Sequence, residues 1–213
     1  MEIKVGFDVD GVLADFHYGF SQILHTKFGT LIIRQPQAEV WDFPQLQFGL
    51  TNEQTEAAWE DLKATPNWWE GLQPTWEFRE CNGTKLANVL SQFPSYFVTS
   101  RVSSKTGRSV QNQTHRWLRD HAISHPNVIV VSNPSHKKEV VKALGITHFI
   151  EDKLETAIEL APVCNSYILD CKYNRDGDAA EGVRRVQSID QYLQDIQDFC
   201  RVSLYPQIKK EKP

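Results

Sequence analysis

The chain has 213 residues, 40% of them hydrophobic, with a formal net charge of −4 and four cysteines. That length suits one core domain plus an insertion, or two small domains, and the apolar fraction is enough for a real core. The acidic balance and the lack of a long basic patch argue against polymeric nucleic acid, and cysteines without Cys-x-x-Cys spacing argue against zinc or a disulfide framework and fit a reducing cytoplasm. The N-terminus is a charged strand rather than a signal-peptide core, and no apolar run is long enough to cross a bilayer, so no membrane partner is expected.

In chain order, Ile3, Val5 and Phe7 alternate with Glu2, Lys4 and Gly6, which predicts a strand. Asp8 and Asp10 follow at i and i+2, on one side of that strand, and Gly11 ends it. Residues 16–78 lose the alternation and become dense in aromatics, with helical spacing in Phe16, Phe20, Ile23 and Leu24. Thr51 and Gln54 have the spacing of a capping box, opening a helix that carries Ala58 and Leu62. Pro44, Pro66 and Pro74 punctuate this segment, which reads as a small helical insertion over the end of the first strand.

Regular βα alternation follows. Helices are expected near 83–92, 106–121, 135–144, 153–161 and 189–200, and strands at Ser95–Thr99, Val128–Val131, His148–Ile150 and Tyr167–Leu169. Val128–Val131 is a continuous apolar run of the kind a doubly covered parallel strand shows. The fold class is therefore α/β: a Rossmann-like parallel sheet with flanking helices, plus a small helical cap inserted after the first strand. The expected units are a core of 1–15 and 79–205, a cap of 16–78 and a tail of 206–213.

Three strand ends carry polar residues: Asp8/Asp10, Thr99-Ser100-Arg101 and Glu151-Asp152. In a parallel sheet all three project from one edge, where open α/β sheets place their active sites. Two adjacent carboxylates repel unless a proton or cation lies between them, and a hard cation such as Mg²⁺ suits oxygen ligands. Lys137-Lys138 adds a positive charge at a helix start. Lys137 shares the face of Val140, Val141 and Leu144, which favours it over Lys138. A nucleophile, metal carboxylates and anion donors together suit phosphoryl transfer. The plainer readings are an Asp-Gly turn, helix caps at Thr99 and Glu151-Asp152, and solvated lysines. None accounts for the ordered set.

Asp8-Val9-Asp10-Gly11-Val12, Thr99, the lysine and Glu151-Asp152, in that order, resemble the four motifs of the haloacid dehalogenase (HAD) superfamily of phosphohydrolases. A closer likeness is to the 5'(3')-deoxyribonucleotidase branch and its bacterial and phage relatives. It rests on Asp8 to Phe16, Thr99-Ser100-Arg101 and Tyr173-Asn174-Arg175, a loop from which Arg175 could reach an active-site acid. The resemblance implies that Asp8 attacks phosphorus to form an aspartyl-phosphate and that Asp10 protonates the leaving oxygen and then activates water. It implies that Asp8, the Asp10 backbone carbonyl and Asp152 hold Mg²⁺, with Glu151 acting directly or through a bound water. Thr99, with help from Ser100 and Arg101, would bind phosphate oxygens, and Lys137 would offset their charge. Phe16, Trp68 and Trp69 are candidate substrate contacts, since a nucleobase favours a flat aromatic partner. The expected substrate is a small phosphomonoester, foremost a (deoxy)ribonucleoside monophosphate. The alternatives are a sugar phosphate, a nucleic-acid end phosphate, or a non-catalytic HAD-like binding module.

Overall fold

The computed structural model describes residues 2–175 and 181–204. Its strands are β1 (Val5–Phe7), β2 (Ser95–Ser100), β3 (Asn127–Val131), β4 (His148–Glu151), β5 (Asn165–Leu169) and β6 (Val183–Val186). All pair in parallel, in the order β3-β2-β1-β4-β5-β6. β1 is central, with Val5 in register with Ser95 on one side and His148 on the other. The winding direction reverses between β1 and β4, so a crevice opens past their carboxyl ends.

The alternation read in β1 gives way in the structure to burial on both faces, because helices cover each side of the sheet. Gly6 is required there: a Cβ would stand 2.2 Å from Phe149 Cδ2. On the opposite face Phe7 stacks on Phe97 at 5.4 Å, and Tyr192 donates its hydroxyl hydrogen between the carbonyls of Gly6 (2.9 Å) and His148 (3.1 Å). Tyr192 lies on α9 (Ile189–Leu204), whose Leu193 and Ile196 are also fully buried.

Between β1 and β2 run α1 (Phe16–Phe28), α2 (Phe43–Leu46), α3 (Asn52–Ala64), α4 (Trp76–Glu80) and α5 (Gly83–Gln92). Asp15 caps α1 by accepting the Tyr18 N–H at 3.0 Å. Thr51 and Gln54 form the reciprocal capping box of α3, at 3.2 and 2.9 Å. The insertion is fastened to the core by Thr75 Oγ1 donating to Val12 O (2.8 Å) and Trp117 Nε1 donating to Leu72 O (2.7 Å). Its buried residues Phe20, Phe43, Leu62 and Trp69 join one apolar cluster with Phe7, Phe97 and Trp117.

The remaining helices are α6 (Val110–Asp120), α7 (Lys137–Leu144) and α8 (Leu154–Leu160). α6 starts later than the 106 expected, because Ser109 caps it by accepting the Asn112 N–H. α7 is preceded by a 3-10 turn, Pro134–His136, rather than beginning at 135. β6 is a sixth strand that the sequence reading lacked. The tail assigned to 206–213 lies outside the described residues. Among the described residues no helix is long and apolar enough to cross a membrane, and all four cysteines are free thiols.

Candidate active site

β1, β2 and β4 deliver their terminal residues to one crevice. Asp8 follows β1, its N–H donating to Ile150 O at 2.9 Å, so β4 sets its height in the crevice. Its Oδ1 accepts the Val9 N–H at 2.7 Å and its Oδ2 lies 2.9 Å from Lys137 Nζ. The same ammonium is 2.9 Å from Glu151 Oε2. Asp8, Lys137 and Glu151 are all buried, at 4%, 3% and 1% exposure, so this contact is electrostatically strong. Burial alone would lower the Lys137 pKa, but Asp8 and Glu151 outweigh it and hold the ammonium charged beyond its ordinary range. Lys138 is half-buried and has no ion pair among the described residues.

Asp8, Glu151 and Asp152 each present a carboxylate oxygen within 4.8 Å of the others. Desolvation, then the Asp8 charge, raises Glu151 well above the carboxylate range and pushes Asp152 up to about 8. Asp152 Oδ2 accepts the Tyr173 hydroxyl hydrogen at 2.5 Å, while its buried Oδ1 has no partner. An orphaned carboxylate oxygen beside two other buried acids fits a hard divalent cation, which would favour the charged forms of Glu151 and Asp152. Gly11 makes room for this arrangement. Its φ is +81°, and a Cβ there would lie 1.9 Å from Asp152 Oδ2.

The Asp10 carboxylate is not part of this acidic group. Arg101 grips it with two hydrogen bonds, Nε to Oδ2 and Nη2 to Oδ1, both 2.7 Å, and Thr99 Oγ1 donates to Oδ2 at 3.1 Å. Asp10, Thr99 and Ser100 line a cavity of about 330 Å³ together with Asp8, Lys137 and Glu151. Arg101 is not in the lining; its guanidinium lies behind Asp10, over the Trp69 ring at 4.6 Å.

The opposite wall of the cavity comes from the insertion: Phe16, His17, Phe20, Trp41, Phe43, Trp59 and Trp69. Phe16 stacks between Trp59 (5.6 Å) and Trp69 (6.1 Å). Trp68 is not in the lining. It stands edge-on behind Trp69 at 4.9 Å, filling the space over Gly19.

Gln35 carried no readable signal, whereas Tyr173 and Asn174 belong to the Tyr173-Asn174-Arg175 run. Gln35 Nε2 donates to Gly11 O, Tyr173 OH and Cys171 Sγ, tying the insertion to the turn after Asp10. Asn174 donates to Asp152 O at 2.7 Å and Leu169 O at 2.8 Å. It is thus Tyr173 and Asn174 that reach the site acid. Arg175 instead pairs with Asp170 at 2.8 Å, largely exposed.

His17 carries no metal-ligand spacing in the sequence; it is 1% exposed and stacks on Tyr173 at 5.0 Å. Burial holds its pKa down at about 3, and its Nδ1 has no partner. The folded pKa lies below the unfolded one, so the unfolded chain takes up the proton first. The associated stability is full above the unfolded pKa and is lost as pH falls from about 6.5 toward 3. Urea unfolding at pH 7 and pH 5 should show wild type losing about 2 kcal/mol more than His17→Phe over that interval. Equal losses would mean that His17 is not buried neutral.

The fold, with a buried aspartate, a buried lysine and two further acids where its strand ends converge, is that of a HAD-type phosphatase. Residues 1–200 match the model of the 5' nucleotidase, deoxy (pyrimidine), cytosolic type C family, and the chain belongs to that family. No curated protein matches the chain. Among solved structures, a HAD family hydrolase from Deinococcus radiodurans with bound phosphate and sodium is similar at 16% identity, TM-score 0.53, over 96% of each chain. YfnB, a HAD-type protein from Bacillus subtilis bound to magnesium, gives 14% identity and TM-score 0.57 over 92% of this chain and 99% of that one. An L-2-haloacid dehalogenase from Xanthobacter autotrophicus, with chloropropionic acid covalently bound, gives 12% and 0.55 over 92% and 99%. At such identities these likenesses establish the fold alone.

Proposed function

We propose that the protein hydrolyses (deoxy)ribonucleoside monophosphates through an aspartyl-phosphate on Asp8, with Mg²⁺ as its cofactor. The observation that carries this reading is the cavity itself, which joins the Asp8–Lys137 contact to a wall of stacked aromatic rings. A phosphate fits the polar floor, and a flat apolar base fits the aromatic wall, where stacking is worth about 1–3 kcal/mol per base. A sugar phosphate would leave those rings facing hydroxyl groups. On this reading the insertion, residues 16–78, is the cap that selects the substrate, Phe16 and Trp69 touch the base, and Trp68 supports Trp69 from behind.

An Asp8 carboxylate oxygen attacks phosphorus and the ester P–O bond breaks, the leaving oxygen taking a proton from Asp10. Asp10 then takes a proton from water as that water attacks the phospho-aspartate, and the Asp8–phosphorus bond breaks. Ser100 and Lys137 hold the phosphoryl oxygens, with Thr99 joining them when its one hydroxyl hydrogen turns from Asp10 to the phosphate. Asp8, Asp152 and the Asp10 carbonyl would hold Mg²⁺, with Glu151, already paired to Lys137, acting through a bound water. The ion supplies charge neutralisation for the transferring group. The free thiols fit a reducing compartment such as the cytoplasm.

Phosphate release across a panel of esters tests the substrate. Nucleoside 5'-monophosphates should exceed hexose phosphates in kcat/KM by at least about tenfold, the factor that one good stacking contact provides. The reverse order would favour the sugar phosphate. Chelation should abolish turnover and Mg²⁺ restore it. Independently of activity, Mg²⁺ should raise the Tm of wild type and do so less for Asp152→Asn, because a ligand that binds only the folded state stabilises it. An identical shift in both would remove Asp152 from the metal site.

A further inference from the structure

We propose that Arg101 is a positioning residue for Asp10, seated by Thr114 of α6 and by Trp69 of the insertion. The inference rests on the reading that Asp10 is the proton donor and acceptor of the reaction.

A guanidinium meant for phosphate would present its fork to the cavity. Here the fork is spent on Asp10, one nitrogen to each carboxylate oxygen at 2.7 Å, and the Arg101 side chain is fully buried. The remaining edge is also fixed. Nη1 donates to Thr114 Oγ1 at 2.7 Å, and that hydroxyl spends its one hydrogen on Val110 O at 2.8 Å, which leaves the oxygen's lone pair facing Arg101. The flat face of the guanidinium lies 4.6 Å from the Trp69 ring centre. Trp69 in turn is anchored to α6, its backbone N–H donating to Gln113 Oε1 at 3.1 Å.

The consequence is geometric. A two-point grip fixes the plane of a carboxylate, which a single point charge cannot do. Asp10 lies at the cavity edge, half-buried, and among the described residues only Thr99 otherwise hydrogen-bonds its carboxylate. Arg101 is therefore what aims Asp10 at the ester oxygen. Because Trp69 belongs to the insertion, the aim of a core residue depends on the insertion being in place.

A double-mutant cycle of Arg101→Gln and Asp10→Asn tests this, with a nucleoside 5'-monophosphate and p-nitrophenyl phosphate as substrates. Nitrophenolate leaves without a proton, whereas a nucleoside alkoxide needs one. Arg101→Gln should lower kcat for the nucleotide about 100-fold, the effect of a misplaced group, with little change in KM. With p-nitrophenyl phosphate it should give a first-turnover burst of nitrophenolate followed by slow release of phosphate. In the Asp10→Asn background it should add no further loss, and Arg101→Lys should not rescue the nucleotide rate. A rise in KM with kcat retained, or a full additional loss beside Asp10→Asn, would show that Arg101 binds phosphate directly and overturn the proposal. Should Arg101→Gln fail to fold by circular dichroism, Thr114→Val carries the test. The same burst in a milder form supports the proposal, and wild-type kinetics overturns it. If the wild-type protein itself turns over neither ester, the phosphatase reading fails first and takes this inference with it. If wild type is active and the losses are uniform, only the inference fails.

Discussion

Lys137→Met should destabilise the protein by about 3–5 kcal/mol, the range seen when one partner of a buried ion pair is removed. Lys138→Met should stay within about 0.5 kcal/mol, as changes away from such contacts do. The contrast follows from position. Lys137 is the first residue of α7, one turn before the fully buried Val141, and its ammonium lies 2.9 Å from both Asp8 Oδ2 and Glu151 Oε2. Without it, Asp8 and Glu151 lose the charge that offsets them, and Asp152 stands within 4.8 Å of both with one oxygen unpartnered. Methionine fills a similar volume, so the loss reports charge rather than a cavity. Urea unfolding of both variants at neutral pH, without divalent metal, measures the difference. A Lys138→Met protein as unstable as Lys137→Met would remove Lys137 from its special place.

The reasons the sequence conveyed some of this and not the rest differ by element. The inner strands were readable because a parallel strand covered on both faces is a short apolar run between helical patterns, as in Tyr167–Leu169. Val128–Val131 reads the same way but forms the edge strand β3, with Ile129 and Val130 only half-buried. β6 was not, because Val183-Arg184-Arg185-Val186 alternates with neither period. Val183 and Val186 point to opposite, covered faces and are both buried, while Arg184 reaches Asp195 and Arg185 reaches Asp170 at the sheet edge. Charged residues on an edge strand guard it against pairing with another chain, and they also mask it as a loop.

At the site, local spacing showed which residues stand at strand ends but not which of them face one another. The Thr99-Ser100-Arg101 run suggested an anion site, yet the partner of Arg101 is a carboxylate 91 residues away. Trp68 and Trp69 are indistinguishable in sequence. Only the 3-10 turn Trp68–Gly71 decides that the second lines the cavity and the first supports it. Gln35 reaches Gly11 and Tyr173 across 24 and 138 residues, and no local pattern encodes that.

Asp8→Asn should reduce turnover of every phosphomonoester by at least about 10⁴-fold, because the amide oxygen is a poor nucleophile and removing a nucleophile costs on that scale. Asp10→Asn should cost less, about 10²–10⁴-fold, the range of general acid–base catalysis, and should spare the first turnover of esters with acidic leaving groups. The geometry separates the two roles. Asp8 is 4% exposed, with Oδ2 held by Lys137 and Oδ1 by the Val9 N–H, so its position relative to the cavity floor is fixed. Asp10 stands at the rim, where a leaving group and then water can reach it. The two substitutions should also differ in stability. Asp8→Asn removes one of three crowded buried carboxylates, the one whose charge raises the pKa of both Glu151 and Asp152, and should leave the folded protein as stable as wild type or more so in the absence of metal. Asp10→Asn leaves the buried Arg101 guanidinium without its anion and should destabilise. Single-turnover kinetics and urea unfolding on the same two variants give both comparisons. Residual turnover by Asp8→Asn at a tenth of the wild-type rate would rule out the aspartyl-phosphate, whatever the stability data show.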